Sequence, residues 1–212
     1  MAFIQWKLVL NVPPIAIKMY LAKIIINVSI LIWLLPPFRQ LKGGYFFYFL
    51  ILGYSDPLAL LLLKLLKLEI IYTHLVMGLF LLLAVMFYNK TIKTKWMILL
   101  IAFCIIGVSV GNRNFRYLSL ILFHLLIFVQ LLVPSIKEYF LKHRINLYFT
   151  LFLLYELLII LSTTGFAFNY TSGVYFFYLS LAFEMLIGIF FTFYNLVNTP
   201  LFKLPFVKKY DY

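Results

Sequence analysis

Four ionisable side chains lie within long apolar stretches of the chain. They are Asp56, His124, Glu156 and Glu184. An ionised side chain at the centre of a transmembrane helix costs about 2.5–3.5 kcal/mol to insert, so such residues normally face protein, water or one another. Each of the four falls near the midpoint of its apolar run, and antiparallel packing would place them at similar depth. They are therefore the candidates for an intramembrane polar site.

Glu184 has the most regular surroundings of the four. Ser180 and Gly188 lie four residues to either side of it, and Asn195 lies eleven residues further on. At helical spacing these residues form a small and polar stripe, which predicts that this face points into a helix bundle. Glu184 is therefore the first candidate for a role beyond holding helices together.

Two interpretations of the four residues stay open. In the first, they form a proton or cation path or bind a polar ligand. In the second, they fix the packing of helices or pair with a partner subunit. Glu156 shares its face only with Thr163, seven residues later, which is a weaker stripe. The spacing favours no catalytic pair, and the sequence contains no Walker loop, dinucleotide fingerprint, zincin motif or nucleophile elbow. We therefore expect a protein that is not an enzyme.

Asp56 also has a local explanation, because Ser55 precedes it and Pro57 follows it. Ser or Asp followed by Pro is typical of a helix N-terminus, which predicts that this apolar run breaks and restarts there. A broken helix can line a binding site in a transporter. A kink only leaves one backbone carbonyl without its donor, and a neighbouring helix can then donate a hydrogen bond to it. Both possibilities stay open.

The sequence offers little for a cofactor or metal. His74 lies near the start of its run and His124 near the centre of another, which argues against a single haem iron between them. The last apolar run contains no lysine for a retinal Schiff base, and Cys104 is the only cysteine. Cys104 shares a face with Gly107 and Gly111, a small-xxx-small pattern that either favours close helix packing or is chance spacing. We expect neither cofactor nor metal.

The composition of the 212-residue chain is that of a membrane protein. It is 66% hydrophobic and 11% charged, with a mean hydropathy of +1.07, whereas about a quarter of the residues of soluble domains are charged. Apolar runs that can cross a hydrocarbon layer of about 30 Å cover 15–35, 44–66, 70–88, 96–112, 116–133, 146–163 and 174–196. We predict an all-α, polytopic bundle of seven transmembrane helices, forming one domain over residues 1–212. Residues 1–14 are expected to be an interfacial segment and 197–212 a short basic cytoplasmic tail.

The net charge of +12 comes from 18 Lys and Arg against 6 Asp and Glu. These basic residues lie in short gaps between apolar runs, where they face lipid headgroups rather than nucleic acid. One side of the membrane collects eleven of them: Arg39, Lys42, Lys90, Lys93, Lys95, Lys137, Lys142, Arg144, Lys203, Lys208 and Lys209. The other collects seven: Lys7, Lys18, Lys23, Lys64, Lys67, Arg113 and Arg116. Because the richer side is normally cytoplasmic, we predict an outside N-terminus and a cytoplasmic C-terminus.

The run Tyr45-Phe46-Phe47-Tyr48, followed by Ser55-Asp56 and by Ile71-Tyr72-Thr73, resembles small seven-span membrane proteins of Bacteroidota. This sequence departs from their pattern at Val76, where such proteins often have glutamate. The resemblance implies a bacterial inner membrane, with an organelle inner membrane as the alternative, and it implies no activity. With no motif and no soluble domain, we expect a non-enzymatic subunit or adaptor of a larger membrane complex. The alternative is a sensor or a small-solute or proton carrier.

Overall fold

The computed structural model describes residues 16–203 apart from 42, 92, 110 and 169–172, and it leaves the side chains of 16–23, 173–178 and 203 undescribed. The predicted interfacial segment at 1–14 and residues 204–212 of the predicted tail lie outside the described residues. The helices are α1 (Ala16–Trp33), α2 (Pro36–Arg39), α3 (Phe46–Leu66), α4 (Ile70–Tyr88), α5 (Thr94–Ser109), α6 (Arg113–Lys142), α7 (Leu147–Ala167) and α8 (Gly173–Phe193). Each helix other than the short α2 falls on one of the seven apolar runs, and the predicted helical class is confirmed.

Four of these helices, α3, α4, α6 and α7, are long and apolar enough to cross a membrane. Helix α5 is a shorter apolar helix, and the stretches Ile24–Arg39 and Leu179–Phe193 are the apolar parts of α1, α2 and α8 whose side chains the structure describes. The protein is thus a helical bundle with several candidate transmembrane helices.

Six helices follow one another around a ring. In order they are α3, α4, α6, α7, α8 and α1, and α1 packs back against α3. Helix α5 packs outside this ring, against α4 and α6. Side chains that point into the ring therefore meet residues that are distant in the sequence.

An aromatic cluster fills one end of the ring. Tyr48 of α3 lies with its ring centroid 4.6 Å from that of Phe152 on α7, and Phe49 lies 4.8 Å from Phe191 on α8. All four side chains are buried. Tilted and edge-to-face contacts of this kind are the favourable geometries for aromatic pairs, so the cluster holds α3, α7 and α8 together.

Two prolines lie inside helices rather than at their ends. Helix α3 runs without interruption through Pro57, so the predicted break at Ser55-Asp56-Pro57 is wrong. The Ser55 hydroxyl instead donates to the carbonyl of Leu52 at 2.8 Å, within the same helix. Helix α6 likewise continues past Pro134 to Lys142, beyond the predicted end at residue 133.

The last helix is shorter than predicted. Helix α8 ends at Phe193, so Asn195 does not extend the stripe of Ser180 and Gly188. The Asn195 side chain instead accepts hydrogen bonds from the backbone N–H groups of Val197 and Asn198, at 3.0 and 3.1 Å. It stabilises a turn after the helix.

Two short strands, β1 (Arg144–Asn146) and β2 (Leu201–Lys203), pair antiparallel, with Arg144 opposite Lys203. Strand β1 links α6 to α7, and β2 follows α8. The Asn146 side chain accepts a hydrogen bond from Tyr148 N at 3.0 Å and so caps the start of α7. The pairing ties the segment after α8 to the junction between α6 and α7.

Candidate functional site

Glu156 of α7 lies fully buried at 0% exposure, and both of its carboxyl oxygens have partners. The Tyr48 hydroxyl of α3 donates to Oε1. On the other oxygen, Oε2 lies 2.8 Å from Nδ1 of His124 on α6. Since Tyr48 reaches Glu156 across the ring, one carboxyl group joins three helices. We call these three residues the Glu156 triad.

The triad can hold and exchange a proton. A carboxyl oxygen and an imidazole nitrogen can each donate or accept a hydrogen bond, so the proton of the bond that Glu156 and His124 share can lie on either group. Tyr48 supplies a neutral donor to either form. His124 is 1% exposed, and its Nε2 has no hydrogen-bond partner among the described residues. An unpaired buried polar atom is costly, so this nitrogen marks a position where a further donor or acceptor would be stabilising.

A second acid–histidine pair joins α3 and α4. Oδ1 of Asp56 on α3 lies 3.7 Å from Nε2 of His74 on α4, and the His74 side chain is buried. Asp56 is eight residues along α3 from Tyr48, which corresponds to about 12 Å. Of the four predicted residues, Glu156 and His124 thus contact each other, and Asp56 pairs with His74 instead.

Glu184 and Ser180 of α8 also point inward and are buried. The Ser180 hydroxyl accepts a hydrogen bond of 3.4 Å from Ser162 of α7. The Glu184 carboxylate lies within electrostatic range of Tyr155 and Asp56. Glu184 is thus close to the Asp56–His74 pair.

The three candidate packing glycines differ in their surroundings. A Cβ added at Gly188 would lie 2.9 Å from Cγ2 of Ile32, which brings α8 close to α1. A Cβ at Gly107 would lie 3.1 Å from Cδ2 of Leu75 on α4. Gly111 lies beyond the end of α5, next to the Phe115 ring of α6. The predicted helical face through Gly107 and Gly111 is therefore wrong at its second glycine.

Sequence reasoning missed Tyr48 and Tyr155 and considered His74 only for haem. Tyr48 belongs to the aromatic run 45–48, which carried the family resemblance, and no local spacing separates it from its aromatic neighbours. Its contact with Glu156 joins residues 108 positions apart. A tyrosine inside an apolar run is the one signal that could have singled it out.

Within the described part of the chain, no group of three or more His, Cys, Asp or Glu side chains is arranged to hold a metal ion. The contacts above are hydrogen bonds and ion pairs among protein groups. Comparisons with protein-family models, with curated proteins and with solved structures found no match to this chain.

Proposed function

We propose that this protein is a seven-span protein of a bacterial inner membrane that binds a proton at Glu156 and carries it across the membrane. The observation that carries this proposal is the Glu156 triad, in which a fully buried carboxyl group contacts a tyrosine and a histidine. The coincidence of the seven longer helices with the seven apolar runs supports the span count. The likeness to small Bacteroidota membrane proteins supports the location.

A packing role alone would not require ionisable groups. Buried ion pairs can often be replaced by apolar residues of similar volume with little loss or even a gain in stability. Ionisable residues inside membrane proteins usually mark proton relays or substrate paths for this reason. Glu156 and His124 therefore favour proton exchange over simple helix packing.

Proton flux into liposomes tests this proposal. Purified protein is reconstituted with a trapped pH-sensitive dye, and a potassium gradient with valinomycin imposes a membrane potential. We expect rapid acidification with the wild type and a rate no greater than that of empty liposomes with Glu156→Gln. Glu69→Gln is the matched control, because Glu69 is exposed at the start of α4 and makes no cap hydrogen bond. Wild-type flux in the Glu156→Gln variant would contradict the proposal.

A second proposal is that the protein is a non-enzymatic subunit or adaptor of a larger membrane complex. Helix α5 supports it, because this helix has an exposed apolar face. This helix lies outside the ring and exposes Trp96, Ile98, Leu99, Ile101, Ile105 and Ile106. Crosslinking at these positions in native membranes should capture a second membrane protein. A stable monomer that co-purifies with nothing in mild detergent would exclude this role.

A further inference from the structure

Tyr155 is the neighbour of the Glu156 triad along α7. It precedes Glu156 on α7 and is 3% exposed. Its phenol group is close enough to Glu184, Glu156 and Asp56 to interact electrostatically with all three carboxylates. The phenol group is thus within electrostatic range of acids on α3, α7 and α8.

Trp33, at the end of α1, fixes the position of the Tyr155 ring, and the two ring centroids are 4.7 Å apart. Trp33 itself lies between two glycines. A Cβ added at Gly53 of α3 would lie 2.6 Å from the Trp33 carbonyl oxygen, and one added at Gly188 of α8 would lie 3.2 Å from Cε2 of its ring.

These two glycines connect Tyr155 with Asp56 and Glu184 through packing contacts, without any reference to charge. Gly53 is three residues from Asp56 on α3, and Gly188 is four residues from Glu184 on α8. Each acid is therefore about one helical turn from a glycine that contacts Trp33, the partner of the Tyr155 ring.

Building on the proposed function, we propose that the Tyr155 hydroxyl relays protons between the Asp56–His74 pair and the Glu156 triad. A phenol oxygen can accept one hydrogen bond while it donates another. When a proton arrives on a lone pair of this oxygen, the original O–H proton leaves toward the other acid. The phenol is neutral before and after, and only O–H bonds form and break.

The two histidines suit the ends of this relay. Nε2 of His74 and Nε2 of His124 are both buried without a hydrogen-bond partner in the described part of the protein, and the two rings are near enough to interact electrostatically. The levels of Asp56 and Tyr48 are about 12 Å apart along α3, which exceeds the reach of one hydroxyl. The proposed path includes ordered water, for which these two imidazole nitrogens are suitable hydrogen-bond partners.

Tyr155→Phe tests the relay in the liposome flux assay, because it removes one oxygen and leaves the ring on Trp33. We expect a rate at least tenfold below that of the wild type. Asp56→Asn, which removes the acid at the other end, should lower the rate similarly. The matched control is Tyr148→Phe, since Tyr148 is a fully buried tyrosine of the same helix whose hydroxyl donates to Gln40 at 3.4 Å. That variant should retain wild-type flux.

The outcomes separate the relay from the proposed function. If Glu156→Gln abolishes flux while monodisperse Tyr155→Phe keeps the wild-type rate, the relay is wrong and proton carriage by Glu156 stands. If Tyr155→Phe and Tyr148→Phe lower the rate equally, the effect belongs to buried tyrosines in general, and the relay is also wrong. Flux no greater than that of empty liposomes with the wild type overturns both proposals.

Discussion

At the scale of single residues, the local sequence pattern favours Glu184 as the functional acid, whereas the contacts in the structure favour Glu156. Glu184 has a regular stripe on its own helix, and this pattern is visible because its members lie four residues apart. The partners of Glu156 are Tyr48 and His124, which lie 108 and 32 residues away. Periodicity reports which face of a helix points inward, but not which distant side chain meets it there. The sequence therefore could not predict the triad, although two of its three members, Glu156 and His124, were candidates.

Tyr48→Phe should destabilise the protein. It leaves Oε1 of Glu156 without its donor in an apolar interior, and an unsatisfied buried acceptor costs about 1–3 kcal/mol. The loss can be measured as a lower free energy of unfolding in a mixed-micelle SDS titration. Tyr54→Phe on the same helix is the control. Tyr54 is 52% exposed, so removing its hydroxyl group should change the free energy of unfolding by less than about 0.5 kcal/mol. Equal losses in the two variants would show that the hydrogen bond to Glu156 contributes nothing.

At the scale of elements, hydropathy located the seven longer helices but placed several of their ends wrongly. The sequence predicts a helix break at Pro57 and a helix end before Pro134, yet α3 and α6 continue through these residues. In an apolar medium an interrupted helix would expose unpaired backbone groups, so continuing past a proline is less costly than stopping. The strand pairing of 144–146 with 201–203 was not predicted either, because three-residue strands carry no periodicity.

The contact between α1 and α3 depends on Gly53. A Cβ there would lie 2.6 Å from a backbone oxygen of Trp33, which cannot turn aside as a side chain could. We therefore expect Gly53→Ala to lower the free energy of unfolding by about 1–3 kcal/mol, the usual cost of overpacking. It should also lower proton flux, because Trp33 fixes the Tyr155 ring.

Gly165→Ala in α7 is the matched control for Gly53→Ala. No heavy atom lies within 4 Å of a Cβ added at Gly165. Alanine is a better helix former than glycine by about 1 kcal/mol, so this variant should be as stable as the wild type or slightly more stable. A wild-type melting temperature for Gly53→Ala would show that α1 and α3 can separate without cost.

The junction of α6 and β1 should be sensitive to acid. At about 45 Å, the 30-residue α6 is longer than the hydrocarbon layer, so we expect Glu138 near its end to lie beyond the membrane. Glu138 accepts hydrogen bonds from Arg144 and Asn146, each at 2.8 Å, and from Lys142 at 3.3 Å. Burial alone would raise the pKa of Glu138, but these hydrogen bonds outweigh it and hold the pKa below its ordinary value of 4.5.

A carboxyl group with a lowered pKa in the folded state stabilises the protein fully above its ordinary pKa and loses this effect as the pH falls through the lowered value. The melting temperature of the wild type should therefore drop below pH 4.5, and Glu138→Gln should reduce that drop. Thermal unfolding in detergent between neutral pH and strongly acidic pH measures both curves. Glu69→Gln should follow the wild type, and a Glu138→Gln curve parallel to the wild type would contradict the role of this junction.

At the scale of the whole molecule, the ring has an apolar outer surface and buried polar groups in its interior. An apolar surface suits lipid, and the interior acids and histidines are then reached through the protein rather than through the bilayer. Protons that move along this interior cross the membrane in a defined direction only if the molecule has a fixed orientation in the membrane. The proposed proton path therefore makes the orientation of the chain a functional property.

The distribution of basic residues predicts this orientation, and α4 provides a compact test. The connection before α4 should lie outside and the one after it in the cytoplasm. Leu68→Cys and Thr94→Cys place single thiols at exposed, uncharged positions on the two sides, so neither variant alters the charge bias. Cys104→Ala supplies the background, because Cys104 is the only cysteine in the sequence.

A membrane-impermeant maleimide added to intact spheroplasts should label Leu68→Cys, whereas Thr94→Cys should react only after the membrane is permeabilised. The reverse pattern would invert the predicted orientation, and labelling of both variants in intact spheroplasts would mean that α4 does not cross the membrane. Because seven spans put the two termini on opposite sides, a green fluorescent protein fused to the C-terminus should fluoresce in the cytoplasm. If Leu68→Cys is labelled from outside and the C-terminal fusion is dark, the number of spans after α4 is one fewer or one more than the four predicted.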